Sequence, residues 1–504
     1  MPDCGYHARP DFVCPVSAQV RVQPALTLAR TTRTPRLWPR ATLNHTCLQI
    51  TPPRLCREGW LCCCPFVGLI VRRGLEFIMS VQLLAMALAP LLGLFIISIG
   101  NGMLSSLTTL RLDSLGESAT MVGIVSSAYF IGLTLGSIFN DRLIVRIGHI
   151  RAYSCFAALI ATTILFQGLS SDPWTWFALR LINGWASVGV FLVVESWLLI
   201  AADPKIRGRL LALYMIALYG AGLLGQVNLG AIAHTGDTIP FMIAAILASL
   251  SMLPIVMIPR VTPVVERAEP LMPWQLLRAT PTGVIGCFGS GLAIAAVYAL
   301  LPLYLQRIGL DVTEVGHMMA YVILGAMLLQ YPVGRWSDHQ DRQLVLIVLA
   351  AACAVLSLII LFLPPGSPLL IVAFFLLGGG IFAIYPVAVS HAADHASSGA
   401  IVRMIQGLLL INSLGCAISP LVISPLMTRV GEGGLFWALA GLNVGLVVLF
   451  IWRRGQRSEP VTAAPFTAAA QMSAVGVEMR VTEDLAQAVF DHEHDGEEGQ
   501  RQAG

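Results

Sequence analysis

Charged residues are scarce in this chain: Asp, Glu, Lys and Arg make up 12% of the 504 residues, against 56% hydrophobic ones. A water-soluble domain of that length needs far more charge on its surface, so lipid must be the solvent for most of the chain. Catalytic signatures are missing too. The hydrophilic segments hold no Walker-type phosphate loop and no His-Glu-x-x-His, which leaves direct ATP use and membrane hydrolysis unsupported. No enzyme activity and no cofactor are expected. Cysteine is rare beyond residue 78, where Cys155, Cys287, Cys353 and Cys416 fall in or near apolar stretches and read as small packing residues. The apolar stretch from Trp60 to Val71 is too short to cross a bilayer, and the small-residue cleavage site of a signal peptide does not follow it.

What the chain does have is apolar runs of spanning length. A hydrocarbon layer of roughly 30 Å takes about twenty helical residues, and about twelve such runs occur. They cover approximately 82–107, 119–140, 152–170, 175–200, 210–235, 238–258, 281–306, 315–335, 344–363, 368–390, 403–428 and 433–452. Lys and Arg in short loops stay on the cytoplasmic side, which fixes the orientation. One side collects Arg142, Arg146, Arg151, Lys205, Arg207, Arg209, Arg260, Arg267, Arg278, Arg335, Arg342, Arg403, Arg453, Arg454 and Arg457, whereas the other has Arg111, Arg307 and Arg429. This bias predicts a multi-pass protein of the cytoplasmic, or inner, membrane with both termini inside. The basic loops suit anionic lipid head groups rather than nucleic acid.

Three segments stand apart from the spans. Residues 1–78 are rich in Arg, Pro and Cys, and two readings of them remain open: a disordered regulatory or acylated arm, or sequence upstream of a start at Met79. Met79-Ser-Val-Gln opens directly onto the first span, which favours the second. Residues 259–280 begin with a proline-rich polar stretch that divides the spans into halves, 79–258 and 281–455, and such a linker lets the halves rock against each other. Residues 456–504 turn to Ala, Gln and Glu and end in Asp491-His-Glu-His-Asp-Gly-Glu-Glu498, a disordered acidic tail; His492 and His494 would hold a metal only weakly there.

Two turns echo each other across the halves: Gly136-Ser-Ile-Phe-Asn-Asp141-Arg142 and Gly334-Arg335-Trp-Ser-Asp338. Each closes an apolar run and opens a basic turn, as a duplicated bundle would. These motifs resemble the loop between helices two and three of the major facilitator superfamily, Gly-x-x-x-Asp-Arg/Lys-x-Gly-Arg/Lys-Arg/Lys. The second copy keeps the family spacing. The first has an extra residue before Asp141 and continues as Arg146-Ile-Gly148-His149-Ile-Arg151, which is similar to the YcaD-like branch. The resemblance covers about residues 80–455 and implies an all-α membrane protein with twelve transmembrane helices in two pseudo-symmetric six-helix halves. It also implies that Asp141, Arg142, Arg146, Arg151, Asp338 and Arg342 form latches at the cytoplasmic mouth. A carboxylate there gains from a neighbouring helix's positive end and from nearby Arg.

The fourth span holds Arg180-Leu-Ile-Asn183-Gly184 and, further on, Glu195. Charge inside a membrane helix costs several kcal/mol unless it faces the bundle interior or water. Arg180, Asn183 and Gly184 resemble the family's fourth-helix motif Arg-x-x-Gln-Gly, whose Arg is implicated in proton handling. The rival for Arg180 is snorkelling to the outer interface. At 1.5 Å per residue Arg180 and Glu195 stand about 22 Å apart, so each needs its own partner; for Glu195 a tie to the inner basic residues and proton binding are equal readings. Gly220, Gly222, Gly225, Gln226, Asn228 and Gly230 give the fifth span small residues for close helix approach and amides for interhelical bonds. Asn101, Tyr129, Tyr298, Gln330, Tyr331, Tyr385, Gln406 and Asn412 complete a sparse polar set. A cavity for an amphipathic solute needs such residues, and so does helix packing. His391, Asp394 and His395 close the tenth span; a gate or relay role there outweighs a metal, and no metal site is expected.

The sequence thus predicts a monomeric secondary active transporter that moves a small solute by alternating access, with proton-coupled export ahead of the alternatives. Those are gradient-driven nutrient uptake on the same fold and a non-transporting sensor or scaffold that reuses it. Substrate or proton path residues are Arg180, Asn183, Glu195, Gln226, Asn228 and Tyr385, and the partners are the solute, protons and membrane lipids.

Overall fold

The computed structural model describes residues 64–201, 207–257, 273–394 and 401–455. The chain divides into a segment Met1–Val67, of which only the start of the first helix is described, and a body Gly68–Gly504 that holds the bundle. Residues 456–504, the linker's proline-rich stretch and His395 lie outside the described residues. Helices make up the body: α1 (Cys64–Ser114), α2 (Ala119–Ile147), α3 (His149–Leu169), α4 (Pro173–Ala201), a segmented α5 (Arg207–Met215, Ile216–Gly220, Ala221–Val227 and Leu229–Ala233) and α6 (Ile239–Leu250 continued by Met252–Val256). After a short linker helix, Pro273–Ala279, come α7 (Pro281–Arg307), α8 (Val312–His339), α9 (Arg342–Phe362), α10 (Pro368–Asp394), α11 (Ile401–Val430) and α12 (Gly434–Arg454). No strand occurs among the described residues. A helix satisfies its own backbone polar groups, which is what hydrocarbon demands of a spanning segment.

Eleven of these helices are long and apolar enough to cross a bilayer. Their outward side chains remain apolar, as Leu169, Leu253, Phe362 and Val422 show with exposures from 59% to 81%. Such a surface suits lipid and not water. The exception is the fifth span, expected as one run over 210–235. It has a π turn over Ile216–Gly220 and a break at Asn228, whose amide donates back to the Leu224 carbonyl at 2.8 Å. Short polar side chains compete in this way for helix backbone. The first helix also departs from expectation. It begins at Cys64, inside the segment set apart by composition, with Pro65 in the first turn, where a missing N–H is tolerated.

Helix ends follow local chemistry. Ser118 caps α2 by accepting from the Met121 N–H, and Asp341 caps α9 by accepting from the Gln343 N–H at 2.8 Å. Asp311 and Glu314 make a capping box at α8. The Thr313 hydroxyl and backbone hold the Asp311 carboxyl below the usual carboxylate range. Between α2 and α3 a single residue, Gly148 at φ +87°, reverses the chain. A side chain would strain that conformation.

Packing repeats with the duplication. In the first half α2 meets α4 where a Cβ on Gly132 or Gly184 would overlap the carbonyls of Leu181 and Tyr129; in the second, α8 meets α10 through Gly325 and Gly378 against the carbonyls of Phe375 and Val322. Likewise α1 meets α5 through Gly102 and Gly225, and α7 meets α11 through Gly291 and Gly415. Lipid offers no hydrophobic drive between helices, so close backbone approach supplies the attraction. The α3–α6 pairing recurs as α9–α12, and the halves are joined by α2 against α11 and α5 against α8. The result is two six-helix halves related by a pseudo-twofold.

Candidate functional site

The chain enters α1 and leaves α12 at one end of the bundle, here the terminal end; the distal end carries the α1–α2, α7–α8 and α11–α12 loops. Polar ties between the halves gather at the distal end. Arg307 of α7 donates to Asp113 of α1 at 2.9 Å, and to Glu432 after α11 at 3.1 Å. Thr120 of α2 meets Thr428 of α11 at 3.1 Å, and His234 after α5 lies 3.7 Å from Asp311 before α8. Deeper in, Thr109 of α1 donates to the Ala299 carbonyl of α7 at 3.0 Å, and Ser105 donates to the Tyr298 carbonyl at 3.3 Å.

Below these ties lies a cavity of about 910 Å³, part of it open to solvent. Its wall is apolar and aromatic, with Tyr129, Phe130, Phe191, Tyr219 and Tyr298, while Ser98, Asn101 and Ser105 of α1 supply polar groups. Helices from both halves contribute, since Tyr298 is on α7 and Ile323 on α8. Leu218 and Tyr219, consecutive residues of the π turn, both line the cavity. Gln330 of α8 then donates to the Tyr219 hydroxyl at 3.2 Å, and Phe382 of α10 packs edge-on to Tyr298 with centroids 5.6 Å apart.

Arg180 is the charged residue in this wall. It is 4% exposed, with its guanidinium carbon 4.6 Å from the centroid of the Tyr129 ring. A cation over an aromatic face is attracted by the ring quadrupole. Its Nε has no hydrogen-bond partner. The side chain therefore faces inward, and the snorkelling alternative does not hold.

The other path residues are placed elsewhere. Asn183 donates to the Thr163 hydroxyl of α3 at 3.2 Å. Gln226 donates to the Gly102 carbonyl at 2.7 Å and to Ser106 at 2.9 Å, tying α5 to α1. Asn228 bonds within its own helix. Glu195 is 7% exposed and accepts from the Tyr214 hydroxyl at 3.0 Å, an α4–α5 contact toward the terminal end. Tyr385 is buried in α10 among the core of the second half. Asn101, Tyr129 and Tyr298 of the wider polar set do line the cavity, whereas Tyr331 is 74% exposed and Asn412 ties α11 to the Cys287 carbonyl of α7.

At the terminal end Arg342 is 3% exposed and binds Asp394 of α10 at 2.8 Å, with Asp338 of α8 at 3.5 Å and the Ser390 carbonyl at 2.7 Å. Three helix ends of the second half meet on one guanidinium. Asp341 in turn pairs with Arg454 at 2.9 Å. Asp141, Arg142, Arg146 and Arg151 are exposed at the same end of the first half, where the neighbouring Asn140 is buried and donates to the Trp185 carbonyl at 2.8 Å. Asp394, read from the sequence as a gate or relay candidate at the close of the tenth span, lies outside the repeated motif and meets Arg342 only in the fold. Among the described residues no three His, Cys, Asp or Glu side chains converge on a metal site.

The sequence profile of the Major Facilitator Superfamily matches residues 90–420. An uncharacterized MFS-type transporter of Yersinia pestis is 32% identical over 376 residues, 74% of this chain and 97% of that protein. The uncharacterized MFS-type transporter YcaD of Salmonella enteritidis is 31% identical over 372 residues, 74% of this chain and 96% of its own. Among solved structures, the nucleoside transporter NupG superimposes with a TM-score of 0.59 at 16% identity, over 74% of this chain and 98% of that one. A bacterial homologue of the human lysosomal transporter Spinster does so with a TM-score of 0.59 at 16% identity, over 76% and 99%. These two share the fold. With the helix pairing, the duplicated turns and the family profile in agreement, the chain belongs to the Major Facilitator Superfamily as a multi-pass membrane transporter.

Proposed function

We propose that this transporter is a secondary one of the cytoplasmic membrane, with both termini inside, and that it carries a small solute through the central cavity by rocking its two halves. The observation that carries the reading is the closure of that cavity on one side: among the described residues, the ties of Arg307 to Asp113, Thr120 to Thr428 and His234 to Asp311 lie on its distal side. With the basic loops inside, the distal end is the outer one, and the conformation is inward-facing. The Arg307–Asp113 tie must break for the outer mouth to open. Asp141 with its basic neighbours, and Asp338 with Arg342 and Asp394, are the matching inner elements.

Proton-coupled export is the mode we favour. Glu195, buried on α4 and bonded to Tyr214 of α5, is the carboxyl inside the bundle that supports this reading, next to the segmented helix α5. Its role is in coupling, since it stands apart from the wall.

The test needs no substrate. In a cysteine-free chain carrying Ser105→Cys, membrane-impermeant maleimide reaches the cavity from the cytoplasmic face of inside-out vesicles. Adding Arg307→Ala frees the outer mouth and brings labelling from the opposite face. Labelling that stays confined to one face in both variants would sink alternating access.

A further inference from the structure

Resting on the transport reading, we infer that the cavity takes organic monoanions: a carboxylate on an aromatic or branched apolar body, with the negative group on Arg180. The argument begins with an imbalance. Arg180 is 4% exposed, and no carboxylate of the described residues forms an ion pair with it. The arginines that tie helices at the two ends of the bundle do have such partners: Arg307 has Asp113 and Glu432, and Arg342 has Asp394 and Asp338. A buried cation left without a counter-charge is unfavourable, and cation–π attraction to Tyr129 offsets only part of that cost. A ligand carboxylate completes the site with a charge-assisted pair to the guanidinium that lines the cavity.

The pseudo-twofold strengthens the assignment. The Leu181 carbonyl meets Gly132 as the Phe375 carbonyl meets Gly325, so the residue equivalent to Arg180 in the second half is Phe374. That side chain is wholly buried, with its ring centroid 6.2 Å from that of Phe436. The charge is therefore a property of one half alone, and duplication does not require it for packing. The rest of the wall fits the body of the ligand. Tyr129, Phe130, Phe191, Tyr219 and Tyr298 present rings, and an apolar, aromatic wall with few polar fixtures is the usual lining of a small-molecule site. Asn101 adds a polar fixture on α1.

The experiment pairs acids with their neutral isosteres. Purified full-length protein is titrated with benzoate, phenylacetate and 3-phenylpropionate, each beside its amide, and with benzylamine, by calorimetry and thermal shift. Acids are expected to bind at least about tenfold more tightly than their amides, the discrimination of a desolvated charge pair. Arg180→Gln removes that preference while keeping its unliganded melting point, and Arg180→Lys keeps part of it. Equal binding of acid and amide throughout the series, or an undiminished acid preference in Arg180→Gln, overturns the inference. If Arg180→Gln fails to fold, Arg180→Lys and the acid–amide comparison in the unaltered chain still decide it. The maleimide test is independent of these ligands. Acid binding with one-sided labelling keeps the anion site and removes the transport reading, and two-sided labelling without acid preference does the reverse.

Discussion

Polar side chains in these helices divide by what they touch. Arg180 meets an aromatic face and open cavity, whereas Asn183, Gln226 and Asn412 meet a neighbouring helix. The prediction for the second group is a loss of stability with little change in the site. Replacing Gln226 by Leu removes its bonds to Gly102 and Ser106 and is expected to cost about 1 kcal/mol, the usual scale for one interhelical polar contact. A thermal melt in detergent measures it, and unchanged melting with lost acid binding would move Gln226 into the site. Sequence alone separates the groups poorly. A charge such as Arg180 stands out in an apolar run, but an amide reads the same whether it faces a cavity or a carbonyl. Ser98, Ser105 and Phe191 of the wall carry no signal of their own, because serine and phenylalanine are ordinary in any membrane helix.

At the level of elements, boundaries are the more legible part. Eleven of the twelve apolar runs correspond to spanning helices and the remaining one to the segmented α5, and the basic turns mark where α2 and α8 end. The interruption of α5 is not legible in hydropathy, since the π turn keeps the same apolar composition and only changes the hydrogen-bond register. Close approach between α2 and α4 depends on Gly132 and Gly184, where added atoms meet backbone that cannot move aside. Gly184→Val is therefore expected to destabilise by about 3 kcal/mol or more, in the manner of an overpacked core, and to reduce the fraction that stays monodisperse after heating. Its counterpart Gly378→Val on α10 should behave alike. A large difference between the two would mean that the pseudo-twofold does not extend to packing energy.

For the whole molecule the informative contrast is between its ends. At the distal end Asp113 joins the halves through Arg307, which Glu432 of its own half also binds, while Arg342 binds helix ends of one half. Removing Arg307 should shift the balance of conformations toward an open distal mouth, and removing Arg342 should loosen α8, α9 and α10 relative to each other. Distances between spin labels on the α1–α2 and α7–α8 loops test the first: Arg307→Ala is expected to lengthen them, and an unchanged distribution would leave the ion pairs without a gating role. The architecture itself is largely legible in the sequence, because lipid restricts the chain to helices and the repeated turns give the symmetry. The distal ties are not legible, since Asp113 ends α1, Arg307 ends α7, Glu432 follows α11, and the three meet only in space.

Phe374 opposite Arg180 has an electrical corollary. On the rocking mechanism proposed above, the open side of the cavity alternates, and the voltage drop moves from one side of Arg180 to the other. The unloaded carrier would then move a positive charge through the membrane field, worth up to about 2.3 kcal/mol per 100 mV for a full crossing, whereas a carrier neutralised by the proposed anion would cross silently. Membrane potential would then act on the empty return step and leave the loaded step alone, so that voltage sets the pace at which the protein resets.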